Sequence, residues 1–238
     1  MITKTQFRPL KGIIFDKDGT LFDFNATWGQ WALTTMQQES DGDPETLARL
    51  AEALGFEIEH CRFRPGSVVI AETLETVADV MVEHLPRTTH GALTKRLIDA
   101  AVDVPQIPAA PLVQFCTELL ELGLVLGVAT NDAEGPAMAH LSGAGILDQF
   151  AFIAGYDSGY GAKPASGQLD AFCAQTGLAA DQCAMVGDSL HDLHAGRAAG
   201  MRTIGVLTGP APESELAPFA DIILPSIASL PGYAVEQM

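Results

Sequence analysis

Two aspartates one residue apart, Asp16 and Asp18, follow directly on the short apolar run KGIIF at residues 11–15. Together with their neighbours they read DKDGTL. Three further groups of reactive residues recur downstream. Thr130-Asn131-Asp132 follows the run LVLGVA, Lys163 precedes Pro164 in GAKP, and Asp188 and Asp192 lie in GDSLHD after CAMV. Phosphoryl transfer needs in-line positioning, neutralised phosphoryl oxygens, and a nucleophile or a positioned water. An aspartate can be that nucleophile and carry the phosphoryl group covalently. Mg²⁺ binds through one or two carboxylates together with substrate phosphate and water. A lysine and a hydroxyl can hold the remaining oxygens. Every one of these parts is present.

The surrounding sequence must bring these groups together. Residues 11–15 (KGIIF), 124–129 (LVLGVA), 150–154 (FAFIA), 183–186 (CAMV), 203–206 (TIGV) and 221–224 (DIIL) are short apolar runs of the kind found in buried parallel strands. Helical patterns at 111–122, 135–142, 166–176 and 191–199 lie between them, two of them stopped by Gly123 and Gly200. Alternating strands and helices predict a doubly wound α/β sheet with helices on both faces. In such sheets ligands bind beyond the carboxyl ends of the strands, where the reactive residues stand.

Residues 22–106 differ in texture and predict an almost entirely helical block. Asp43-Pro44-Glu45 is a helix start, with a capping side chain, a first-turn proline and an acid at the positive dipole end. Leu47, Leu50, Ala51 and Leu54 share one face, and Gly55 closes that helix. Residues 67–85 and 89–102 predict two more helices. The expected division is therefore 1–21 with 107–238 as the α/β core and 22–106 as an inserted helical cap. The second crossing, VPQIPAAP, is too rich in proline to continue a helix.

DKDGTL, ATND, AKP and GDSLHD, in this order, resemble the four motifs of the haloacid dehalogenase superfamily. The helical block resembles its C1 cap, and the pattern is similar to the phosphoglycolate phosphatase-like group. The resemblance implies that Asp16 is the nucleophile and Asp18 the general acid and base, its carbonyl also holding the metal. It implies that Thr130 and the Asn131 N–H bind the phosphoryl group with Lys163, and that Asp16 and Asp188 are ligands of Mg²⁺. Asp192 would act through a metal-bound water or by bridging Lys163. An acid at position 18 suits a leaving alkoxide, which must be protonated. Dehalogenases, phosphonatases and P-type ATPases differ there. The expected substrate is a small phosphomonoester of the phosphoglycolate or sugar-phosphate type. A phosphomutase of the same fold and a non-catalytic binding protein are the alternatives. Lys17 replaces a common apolar residue of the motif, and no role for it is implied.

The cap should choose the substrate. Arg62 and Arg64, in CRFRPGS between two predicted helices, are candidate ligands for a distal anionic group. The alternative is an ion pair with a surface acid such as Glu57 or Glu59. Trp28 and Trp31 have the spacing of a helix face and are expected in the cap core, with pocket lining the alternative. His191 and His194 are expected to be solvated or structural rather than metal ligands.

Thirteen Lys and Arg stand against 30 Asp and Glu, a net charge of −17. That balance argues against nucleic acid and against anionic membranes as partners. No apolar run is long enough to span a bilayer, and the first residues lack the apolar stretch of a signal peptide. Cys61, Cys116, Cys173 and Cys183 show no zinc-site or disulfide spacing. A cytoplasmic monomer or homodimer is expected.

Overall fold

The computed structural model describes residues 8–238. The first apolar run forms strand β1 (Gly12–Phe15), buried at all positions. The chain then leaves the sheet for helices α1 (Phe24–Glu39) and α2 (Pro44–Ala53), the ribbon β2 (Phe56–Glu57) and β3 (Arg62–Phe63), and helices α3 (Leu74–Val82) and α4 (His90–Val102). It returns through α5 (Leu112–Glu121), β4 (Val125–Ala129), α6 (Glu134–Gly143), β5 (Phe152–Ala154), α7 (Gly167–Thr176) and β6 (Cys183–Gly187). Last come α8 (Leu190–Ala199), β7 (Arg202–Val206), α9 (Glu213–Leu216), β8 (Ile222–Leu224) and α10 (Leu230–Glu236). No helix among the described residues is long and apolar enough to cross a membrane.

Six strands form one parallel sheet in the order β5-β4-β1-β6-β7-β8. Strand β1 lies at its centre. Phe15 is in register with Val128 on one side and Val186 on the other. Asp16, Thr130 and Asp188 therefore emerge within a residue or two of one another at the same sheet edge. Period-two alternation sends Ile13 and Phe15 to the face covered by α5 and α10, and Ile14 to the face covered by α7 and α8. Both faces are dry, which is why these strands read as unbroken apolar runs. Gly196 lets α8 lie close on the sheet, since a Cβ there would sit 2.8 Å from the Thr203 side chain. Closeness here matters, because α8 carries Asp192.

Residues 22–106 have an apolar core of their own, built by Trp28, Met36, Leu50, Phe63, Val77 and Leu93 among others, with none of the sheet's residues in it. This core draws its residues from Phe24 to Val104, while Phe22 packs with the sheet. The two crossings meet in an isolated bridge between Phe22 and Pro108. Asp43 caps α2 by accepting from the Thr46 N–H, and Gly55 follows with φ +65°.

The almost entirely helical block also holds a short ribbon: Phe56–Glu57 and Arg62–Phe63 pair antiparallel around a 3₁₀ turn, Ile58–His60. Its pairing buries Phe56 and Phe63 together in the cap core, ring centroids 5.0 Å apart, and sets Glu57 opposite Arg62. The helix expected over 67–85 needs correction, because it is broken. A single 3₁₀ turn, Val68–Ile70, precedes a fresh start at Leu74 capped by Thr73. The interruption frees the Ala71 carbonyl, which accepts from Asn131 Nδ2 at 2.8 Å and faces His191 Nδ1 at 3.0 Å. The backbone exchanges a local hydrogen bond for two contacts between cap and core.

Candidate active site

Asp16 leaves β1 nine-tenths buried, and its Oδ1 accepts from Lys163 Nζ at 2.6 Å. The same ammonium donates to Asp192 Oδ1 at 2.6 Å. Lys163 is itself placed by Asn131, whose side chain accepts from the Lys163 N–H at 2.8 Å and donates to the Lys163 carbonyl at 2.9 Å. The Lys163–Pro164 bond is cis. Thr130 lines the cleft beside Asp16, its hydroxyl accepting from the Asp132 N–H at 3.1 Å.

Asp188 is fully enclosed and accepts from Thr20 Oγ1 at 3.2 Å. Asp192 caps its own helix, its Oδ2 taking the Ser189 N–H and hydroxyl at 3.0 and 2.7 Å. Glycines make room for both. A Cβ on Gly19 (φ +84°) or Gly209 would collide with the Asp188 carboxylate, and one on Gly187 with Asp192. Asp16, Asp188 and Asp192 bring carboxylate oxygens within 4.8 Å of one another.

Three buried carboxylates thus face one lysine. Burial pushes Asp16 up to about 7, with Lys163 opposing and Asp192 and Asp18 reinforcing the rise. Burial and the charges of Asp16 and Asp192 likewise hold Asp188 well above the usual carboxylate range. Burial works against the charge on Lys163, but Asp16 and Asp192 outweigh it and raise its pKa. Such crowding is relieved by a hard divalent cation with oxygen ligands, and the donor set fits one. Asp16 and Asp188 have oxygens to offer. Asp192 already shares one oxygen with Lys163 and the other with Ser189, so of its two expected roles the geometry matches bridging to Lys163.

Asp18 is held at both oxygens. Trp28 Nε1 of α1 donates to Oδ1 at 2.7 Å, and Lys17 Nζ lies 2.7 Å from Oδ2. Lys17 points back into the protein and has no solvent exposure. Its ammonium also reaches Asp132 Oδ2 at 3.2 Å and His140 Nδ1 at 3.1 Å, and sits 5.2 Å from the centre of the Trp28 ring. His140 Nε2 lies 2.8 Å from the Ala101 carbonyl, which can only accept, so Nδ1 is left to accept from Lys17. Burial, with Lys17 adding to it, lowers the His140 pKa to about 4 and keeps the ring neutral. The pairing of Asp132 with Lys17, and His140 altogether, escaped sequence reasoning. The available signal was Lys17, a cation in an apolar place that required a buried partner.

Above the carboxylates lies a cleft roofed by the cap. Trp28 and Trp31 line it while packing edge to face at 5.2 Å, so they serve both the cap core and the cleft. His191 lines it too, whereas His194 packs on Phe219 at 4.7 Å. Arg62 and Arg64 do not reach it. Arg62 Nε pairs with Glu57 at 2.7 Å across the ribbon, and Arg64 with Glu52 at 2.7 Å. The ribbon turns both guanidinium groups toward neighbouring acids on the outside of the cap, so the expectation that they bind substrate is replaced by the ion-pair alternative.

This arrangement is that of a haloacid dehalogenase-like hydrolase. The model of that family matches residues 10–200, and the chain belongs to it. It is 28% identical to the phosphoglycolate phosphatase of Yersinia pseudotuberculosis over 93% of this chain and 95% of that protein. With the phosphoglycolate phosphatase of Chromobacterium violaceum it shares 38% identity over 47% of this chain and 50% of that one. Among solved structures, a predicted phosphoglycolate phosphatase from Haemophilus somnus matches with TM-score 0.72 at 20% identity, covering 97% of this chain and 99% of that one. A hydrolase from Pseudomonas syringae matches with TM-score 0.67 at 19% identity, covering 96% and 99%. At those identities the solved structures speak for the fold alone.

Proposed function

We propose that the chain is a Mg²⁺-dependent phosphatase that hydrolyses a small phosphomonoester through an aspartyl-phosphate on Asp16. The observation that carries this is the Asp16 carboxylate, buried at the floor of the cleft with one oxygen held by Lys163 and Asp18 beside it. The names of the sequence relatives add phosphatase chemistry to the family's fold.

Asp16 attacks phosphorus while Lys163 and the Thr130 hydroxyl hold phosphoryl oxygens. Asp18 delivers a proton to the departing oxygen, then takes one from the water that opens the aspartyl-phosphate. Bound Mg²⁺, held by Asp16, Asp188 and the Asp18 carbonyl, would supply charge neutralisation between two anions that otherwise repel. Four free thiols suit a reducing cytoplasm.

The direct test is phosphate release from a panel of phosphomonoesters with Mg²⁺ or EDTA. Turnover that vanishes in EDTA supports the proposal; equal turnover in both refutes metal dependence. A bisphosphate-dependent isomerisation without phosphate release would point to a mutase instead. Metal binding has its own readout. Mg²⁺ at 100 times its Kd should stabilise the fold by about 2.7 kcal/mol, a Tm rise of roughly 5–10 °C. Asp188→Asn should show no such rise.

Asp18→Asn should lower kcat/KM for alkyl phosphates by roughly 10²–10⁴-fold. The loss should be much smaller for p-nitrophenyl phosphate, whose leaving group departs without a proton. Equal losses on both would remove Asp18 as the acid.

A further inference from the structure

The wall that faces the substrate's alcohol part is apolar. Phe24, Trp28 and Trp31 of the first cap helix and Val69, Ile70 and Leu74 of the broken segment form it. Among the described residues lining the cleft, Lys163 is the sole lysine or arginine, and its ammonium is already engaged by Asp16 and Asp192. His191 offers no free cation either, since Nδ1 meets the Ala71 carbonyl and Nε2 lies 3.7 Å from Glu72. The other charged groups of the lining, Asp18, Glu72 and Asp132 among them, are acids. The cap's cations point elsewhere: Arg62 and Arg64 to Glu57 and Glu52, and Arg96 to Glu39 at 2.6 Å.

A second anionic group on the substrate would therefore leave water for an apolar, acid-rimmed space with no free cation to pair it. An uncharged hydrocarbon or aromatic part would gain by burial against the same wall. Trp31 Nε1–H is buried without an acceptor, and offers one donor to a neutral oxygen or ring. A cationic alcohol part is less well served, since Lys17 already sits 5.2 Å from the centre of the Trp28 ring.

We infer that this cleft selects phosphomonoesters whose alcohol part is uncharged and predominantly apolar, and that it discriminates against 2-phosphoglycolate. The inference rests on the proposed phosphatase activity and narrows it to a substrate class different from the one in the relatives' names.

The experiment compares kcat/KM for benzyl phosphate, 2-phosphoglycolate and phosphocholine, all unactivated primary alkyl esters, on the full chain with Mg²⁺. Asp16→Asn serves as the blank. Benzyl phosphate should exceed 2-phosphoglycolate by about 10²-fold or more. A preference for 2-phosphoglycolate or for phosphocholine would overturn the inference while leaving the phosphatase proposal standing. Turnover of none of the three, nor of any simple ester, would defeat the phosphatase proposal and this inference with it. Two variants probe the wall itself. Trp31→Leu should cut the ratio of benzyl phosphate to methyl phosphate by roughly tenfold. Ile70→Arg, which places a guanidinium at a half-exposed position of the lining, should raise the relative rate on 2-phosphoglycolate by roughly tenfold. Unchanged ratios in both would show that the wall does not set specificity.

Discussion

Asp16→Asn should lower phosphate release by at least about 10³-fold on every ester the enzyme accepts. The amide keeps the size of the carboxylate but cannot attack phosphorus or leave as an acyl phosphate. No neighbour can take its place. Asp188 is enclosed behind Gly19 and Gly209, and Asp192 has both oxygens engaged by Lys163 and Ser189. The fold should survive. An amide is easier to bury than a crowded carboxylate, and Lys163 keeps its bond to Asp192. Acid quenching after brief incubation with a ³²P-labelled ester should trap label on the wild-type chain and none on the variant. A variant that retains a tenth of wild-type activity would transfer the nucleophile's role to another group.

The second large effect is on stability. Lys17→Met should destabilise the chain by about 3–5 kcal/mol, read from urea unfolding. Methionine fills the volume but removes the cation that Asp18, Asp132 and His140 share at 2.7, 3.2 and 3.1 Å. Asp132 is the group most exposed to that loss, being buried with Lys17 as its cation. Adding Asp132→Asn to Lys17→Met should restore part of the lost stability, because the stranded charge is gone. A loss below about 1 kcal/mol for the single variant would mean that the network is no more than a solvated surface pair. Lys17 also has a consequence for chemistry. With Trp28 it fixes the direction of the Asp18 carboxylate, so one buried lysine ties the placement of the acid to the integrity of α6 through His140.

Some features were legible in the sequence because their causes are local. Apolar runs buried on both faces announced all six strands of the main sheet, with ends displaced by a residue or two. A reactive residue directly after such a run must emerge at the sheet edge, which placed Asp16, Thr130 and Asp188 before any coordinates. Asp43 and Pro44 announced a helix start through capping and fixed φ, and α2 begins at Pro44. The cap ribbon was not legible. Its strands are two residues long, too short for any periodicity, and they exist because Phe56 and Phe63 find each other in the cap core. The break at Ala71 was hidden for a related reason. Its partners, Asn131 and His191, are 60 and 120 residues away.

The sequence by itself determined the α/β class, the helical character of most of the segment after the first strand, and the set of acids, hydroxyl and lysine that meet at one sheet edge. Short-range forces suffice for that: burial periodicity, capping, and the rule that strand ends carry the site. Only the tertiary structure decided which way the long side chains point. Arg62 and Arg64 face cap acids instead of substrate, and Lys17 turns inward to Asp132 and His140. A flexible cation settles on whichever acceptor the folded chain brings near, and the Lys17 partners, a carboxylate and an imidazole on a distant part of the chain, cannot be read from the residues beside it. For that reason the proposed reaction could be read from the motifs, while the apolar wall, whose lining holds no arginine, was visible only in three dimensions.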